Sequence, residues 1–222
     1  MPLFLTYQSL AVLSPPGPEG SVRNGADVIL QELATRIAGP RGPLILLAVI
    51  TGVGLWLVFR DLRAHRDIRI IVFGLMLAET VVLAVVFGVA VTAVTSGLVR
   101  PTALMFQAAV ANLGTGDRLM LSLGAGLYEE LLFRVLVVGT LAWVGRRLLG
   151  WRPLVAGLAA AMIGAVVFSM FHYVGQYGDE FRVYSFVFRA IAGLAFSALF
   201  LLRGFGITAW THALYDVFLL LR

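Results

Sequence analysis

The sequence predicts an all-α, polytopic transmembrane bundle of about six spans, preceded by an N-terminal interfacial helix. Three observations predict it. Hydrophobic residues make up 60% of the 222 and charged residues 13%, with a mean hydropathy of +0.94; soluble domains sit nearer half apolar and a quarter charged. The apolar residues gather in long, non-alternating runs, and in lipid such runs are helices rather than barrel strands. All 17 basic residues are Arg, and most cluster between the runs, where membrane topology puts them. Composition excludes other classes as well. The absence of cysteine removes disulfide scaffolds, thiolate catalysis, Cys-ligated zinc and iron–sulfur chemistry. The sequence pI of 10.2 reflects a net charge of only +5, which gives no basis for a nucleic-acid partner.

Residues 1–43 read as an N-terminal segment and 44–222 as the transmembrane domain. Met1 to Leu13 is apolar but has no basic region before it, so it is not a clean signal peptide. Ser14-Pro15-Pro16-Gly17-Pro18 is a breaker. Asp27 to Ala38 places Val28, Ile29, Leu33 and Ile37 on one helical face, as in a helix lying on a membrane surface. The first span is Leu44 to Phe59, ended by Arg60, Asp61, Arg63, His65, Arg66, Asp67 and Arg69. Ile70 to Val99 is the second and contains Glu79. Beyond Arg100-Pro101 a moderately apolar stretch reads as a loop with partial helix, up to Gly114-Thr115-Gly116-Asp117-Arg118. Leu119 to Gly145 is the third span, with Glu129, Glu130 and Arg134 inside it and Arg146, Arg147 and Arg152 after it. Leu154 to Tyr173 is the fourth, and Gly175 to Arg182 a polar connection. Ser185 to Leu202, with Arg189, is the fifth. A short break at Arg203-Gly204 precedes the sixth, Phe205 to Leu221.

The basic loops after the first and third spans belong on the cytoplasmic side, although Arg23, Arg36 and Arg41 oppose the placement this gives the N-terminal segment. Small residues four apart, Gly157/Ala161 and Gly193/Ser197, should let helices approach closely. There is no repeat of fixed period.

A charge at mid-bilayer costs at least ~2.5–3.5 kcal/mol, so charged residues within spans need reasons. Adjacent positions on an α-helix point about 100° apart. Glu130 and Arg134, four apart, share a face and can pair. Glu129 then faces elsewhere, without a partner on its own helix. Such a carboxylate suits a general base, or it belongs to a structural ion-pair knot. His172 ends the fourth span. His212 lies in the sixth, with Asp216 one turn on. Glu79 and Arg189 are expected to pair with each other or with members of this set. No Gly-x-Ser-x-Gly, phosphate-binding glycine loop or His-Glu-x-x-His is present.

The order and spacing of these groups resemble the CPBP family, the CAAX proteases and bacteriocin-processing enzymes, also called the Abi family of glutamate intramembrane proteases. Glu129-Glu130-Leu131-Leu132-Phe133-Arg134 fits its Glu-Glu-x-x-x-Arg motif. Phe168 to His172 fits Phe-x-x-x-His. His212-Ala213-Leu214-Tyr215-Asp216 fits the last motif with Asp where the family has Asn. The resemblance covers roughly 119–221. It implies a membrane endopeptidase in which Glu129 and His172 activate a water, His212 and Asp216 serve the oxyanion, and Glu130 and Arg134 support them. No cofactor is implied.

Asp216 leaves three roles open. A protonated Asp216 could donate to the oxyanion. An ionised Asp216 could orient His212, the preferred reading. Or Glu129, His172, His212 and Asp216 could hold zinc, a minority alternative. The implied partners are the lipid bilayer and a substrate: a prenylated or other C-terminal tail, a leader peptide, or a membrane protein's own span. A bacterial or archaeal cell membrane is the expected location. The alternative from another class is a non-enzymatic scaffold or regulator of an envelope protein, in which the polar set is a packing network. A decayed scaffold should have lost one of these groups, and all are kept. A transporter should show inverted repeats, and none is found. With straight helices the three motifs would lie at different depths. Tilt, the break at Arg203-Gly204 or different span ends must bring them together.

Overall fold

The computed structural model describes residues 1–13, 23–65, 70–101, 113–175 and 178–220. The Ser14–Pro18 breaker and the stretch expected as loop with partial helix, 102–112, lie outside them. The described elements are helical throughout. In order they are α1 (Pro2–Leu13), α2 (Gly25–Ala38), α3 (Gly42–His65) and α4 (Ile70–Leu98). Then come a composite rod, α5 (115–147), and finally α6 (Pro153–Phe171) and α7 (Val183–Leu220). Among the described residues four continuous stretches are long and apolar enough to cross a bilayer: Gly25–Ala64, Ile70–Leu98, Pro153–Phe171 and Val183–Leu220.

The last of these is two crossings. A continuous helix would hold residues 196 and 212 about 24 Å apart. Instead the rings of Phe196 and His212 stack with centroids 4.3 Å apart. Phe87 of α4 touches both halves, Phe196 at 4.0 Å and Tyr215 at 5.1 Å. The chain therefore reverses, and it does so at Gly204, whose φ of 77° is open to glycine and strained for other residues. The two arms of α7 pack side by side against α4, which turns Thr80, Ala84, Phe87, Val91 and Thr95 inward along one stripe. Among the described residues the last apolar stretch is thus two antiparallel arms, packed with α4, α5 and α6 in an all-α bundle.

The same reversal corrects the reading of Glu79 and Arg189. They pair neither with each other nor with the Glu/His set. Glu79 receives a two-pronged hydrogen bond from Arg203, at 2.8 and 2.5 Å, at the turn itself. Arg189 pairs with Asp179 from the connection before α7. Glu79 is therefore at one end of the bundle and not in mid-span. Ser96, hydrogen-bonded to Tyr184 at 3.1 Å, marks the other end. The stretch of α4 between Glu79 and Ser96 is about 26 Å long, close to a bilayer's hydrocarbon thickness. Since α6 and α4 both run antiparallel to the first arm of α7, the N-terminal ends of α4 and α6 lie at the same end of the molecule.

Small residues close the α6–α7 contact. Gly193 stands so near α6 that a methyl group there would meet Ala165 Cα at 3.0 Å. Ser197 is buried beside it. Gly157 faces open space, so the Gly157/Ala161 pair does not form the expected close approach. The buried stripe of α6 is instead Ala156, Ala160, Ala161, Gly164 and Ala165. Helix α2 forms where its pattern predicted, with Val28, Ile29, Leu33 and Ile37 facing outward. The side turned to the bundle is Ala26, Asp27 and Leu30.

Candidate active site

Helix α5 starts as an ordinary helix, Thr115–Gly124, and ends as one, Gly139–Arg147. Between these lie two π-helical segments, Ala125–Glu129 and Leu131–Val138. Hydrogen bonds from i to i+5 put more residues in each turn, so neighbouring side chains diverge by less than the α-helical 100°. That is why Glu129 and Glu130, expected to point apart, both face the interior. Glu129 is 6% exposed and Glu130 fully buried. Single π turns of this kind gather at functional sites.

The expected Glu130–Arg134 pair forms, with Nε 3.1 Å from Oε2. Arg134 is fully buried, its guanidinium 4.7 Å from the Phe168 ring centre and 5.6 Å from that of Phe196. Two aromatic faces thus share the charge with one carboxylate. The other oxygen of Glu130 accepts a 2.7 Å hydrogen bond from His212 Nδ1. Since Glu130 is ionised against Arg134, Nδ1 carries the proton. His212 is thus held at Nδ1 by Glu130, a partner the sequence spacing did not indicate. Asp216 Oδ2 lies 3.7 Å from His212 Nε2, too far for a direct hydrogen bond.

Glu129 draws its partners from other elements. His172 Nε2 stands 3.9 Å from Glu129 Oε2. His172 Nδ1 is 2.9 Å from the carbonyl of Phe168, which only accepts, so Nδ1 is the protonated nitrogen and Nε2 faces Glu129 as an acceptor. The other Glu129 oxygen accepts from Asn24 Nδ2 at 3.0 Å. The structure thus gathers the six sequence-predicted residues: His172, part-exposed, faces Glu129, while buried Glu130 joins Arg134 and His212, with Asp216 beside His212. The depth conflict is resolved by the reversal at Gly204. His212 lies about 12 Å along the returning arm, near the middle of the α4 stretch between Glu79 and Ser96. Among the described residues no group of three or more His, Asp or Glu side chains converges in a geometry that would hold a metal ion.

Sequence reasoning missed Asn24 and the packing of α1 against α5. Asn24 caps α2, accepting from the Ala26 amide at 2.9 Å. Its one visible signal was that of a cap residue before a helical run. Helix α1 buries Leu3, Phe4, Tyr7 and Ala11 against α5. Tyr7 donates to buried Asp27 at 2.8 Å, and Arg23 and Gln31 donate to the same carboxylate. Burial, with Asp27 beside it, pushes the Tyr7 pKa far above its ordinary value, so the hydroxyl stays a donor. Gln8 of α1 donates to Tyr128, the residue before Glu129, at 2.7 Å.

Residues 112–218 match the family model described as type II CAAX prenyl endopeptidase, Rce1-like. No curated protein and no solved structure matches the chain.

Proposed function

The C-terminal half of this chain belongs to the Rce1-like family of type II CAAX prenyl endopeptidases, and from that premise we propose that Glu129 and His172 activate a water for hydrolysis of a lipid-modified or membrane-associated peptide. The observation that carries the proposal is the 3.9 Å gap between Glu129 Oε2 and His172 Nε2. Both atoms are acceptors. A water about 2.8 Å from each would subtend about 88° between them, near its own bond angle, and would donate one proton to each. Its lone pairs then point away from both groups, toward an arriving carbonyl carbon. Glu129 takes a proton as the water attacks and returns it to the leaving amine.

His212 is the proposed oxyanion donor. Its Nδ1 proton is committed to Glu130, so donation comes from Nε2 and requires the imidazolium form. Glu130 and Asp216, one at each ring nitrogen, supply its counter-charge. A single donor of this type is worth about 2.7–4 kcal/mol in the transition state. Asp216 then serves through its charge beside Nε2, which an Asn would not supply. No step requires a metal.

The test compares new protein termini in source-cell membranes between a strain carrying the wild-type chain and one carrying Glu129→Ala at equal abundance. Specific termini should vanish in the variant, and their sequences reveal the substrate. A deletion phenotype that Glu129→Ala fully rescues, with no terminus changed, would overturn the enzymatic reading in favour of a scaffold.

A further inference from the structure

We propose that Asn24, outside the family-matched residues 112–218, is a positioning residue of the active site, and that α1 and α2 exist in part to deliver it. The inference rests on Glu129 being the general base. Asn24 is buried, and its side chain has two functions at once. Oδ1 accepts from the Ala26 amide, which caps α2. Nδ2 donates to Glu129 Oε1 at 3.0 Å. That bond fixes one carboxylate oxygen and leaves Oε2, the oxygen facing His172, with a defined direction.

A carboxylate on a π-helical turn needs such a brace. Its own helix offers Glu129 no hydrogen-bond donor, because Arg134 pairs directly with Glu130. The delivery is equally specific. Gly124 lets Asn24 and Tyr7 come against α5: a methyl group there would meet the Tyr7 ring at 2.6 Å and Asn24 Cβ at 2.7 Å. Tyr7, Arg23 and Gln31 converge on Asp27 and hold the first turn of α2 in place. Gln8 ties α1 to Tyr128, adjacent to the base. A segment serving only as an anchor would not need its buried polar bonds aimed at the residues on either side of the cleavage machinery.

The two functions of Asn24 can be separated. Ser and Asp cap helices about as well as Asn. Asn24→Ser keeps the cap acceptor but falls a bond short of Glu129. Asn24→Asp keeps the cap and places an acceptor where a donor is needed. The protein would be reconstituted in lipid nanodiscs and assayed with an internally quenched, farnesylated tail peptide, with Glu129→Ala as the inactive reference. The expected result is a kcat about 10- to 100-fold lower in both Asn24 variants, the scale of a misplaced catalytic group. KM should stay within a factor of two or so, because uniform binding is untouched.

In parallel, melting temperatures of Asn24→Ser, Glu129→Ala and the double variant should be non-additive, the double losing less than the two singles together. Wild-type kcat in both Asn24 variants, with Glu129→Ala inactive, would overturn the inference and leave the proteolytic reading standing. Additive melting shifts would also overturn it. Should Glu129→Ala retain activity, the base assignment falls and the inference with it. Should the peptide not be cleaved by the wild type, the substrate class is wrong, and the melting cycle still decides the Asn24–Glu129 contact.

Discussion

Glu130→Gln tests the paired one of two adjacent buried carboxylates. Glu130 is fully buried, and it compensates Arg134 at 3.1 Å while accepting from His212 at 2.7 Å. Gln has the same shape but no charge, so it leaves Arg134 as a buried cation facing only two aromatic rings. Breaking a buried pair by removing one partner costs about 3–5 kcal/mol, because the remaining charge stays desolvated. Against a typical total of about 5–15 kcal/mol, that is a large fraction. For a chain of this size each kcal/mol corresponds to about 2–4 °C, so Glu130→Gln should melt about 6–20 °C lower. The assay is thermal unfolding of purified protein in one detergent, followed by circular dichroism. Glu129→Gln, measured beside it, should shift much less, since a Gln oxygen still accepts from Asn24. Adding Arg134→Met to Glu130→Gln should recover part of the loss by removing the stranded charge. Equal melting of Glu130→Gln and wild type would refute the reasoning, as would a larger loss in Glu129→Gln.

Gly204→Ala forces a side chain onto φ 77° and ψ 175°, a region essentially confined to glycine, which should cost about 1–3 kcal/mol and lower both melting temperature and activity, because the turn sets the depth of His212; unchanged values in both assays would show that the reversal does not depend on this residue. Glu79→Gln removes a pair at the bundle end in which Arg203 is half-exposed, so melting should change little at moderate salt, and a collapse of stability would place that pair deeper in the membrane than its position indicates. Asp216→Asn should lower activity, since it removes one of the two counter-charges of His212; full activity would show that Glu130 suffices alone. EDTA treatment followed by excess zinc should leave cleavage unchanged, and loss with recovery on zinc would establish a metal at the site.

The fold was legible wherever it depended on long apolar runs and Arg-rich breaks, which fix span positions through solvation alone. The Glu130–Arg134 pair was legible because spacing of four is a local rule. What escaped the sequence were long-range pairings. Nothing in the spacing of Glu79 shows that a turn at Gly204 brings Arg203 to it. The partner of His212 was sought one turn away, at Asp216, and proves to be Glu130, because a π-helical stretch turns that carboxylate inward. Periodicity at 3.6 residues cannot reveal a local change of period. Asn24 was hidden for a different reason. A cap residue is common enough that its second bond, to a carboxylate on a distant helix, leaves no trace in the pattern around it.

The contacts that build the centre join residues far apart in the order of synthesis. Asn24 and Glu129 are separated by 105 positions, and Glu130 and His212 by 82. Contacts between distant residues form late, after loop closure has been met elsewhere in the chain. On a ribosome feeding a membrane, Asn24 is made first and must wait for α5, and His212 arrives only with the returning arm of α7. A nascent chain that has not passed residue 212 therefore carries Glu129, Glu130 and His172 without the side chain that completes their cluster.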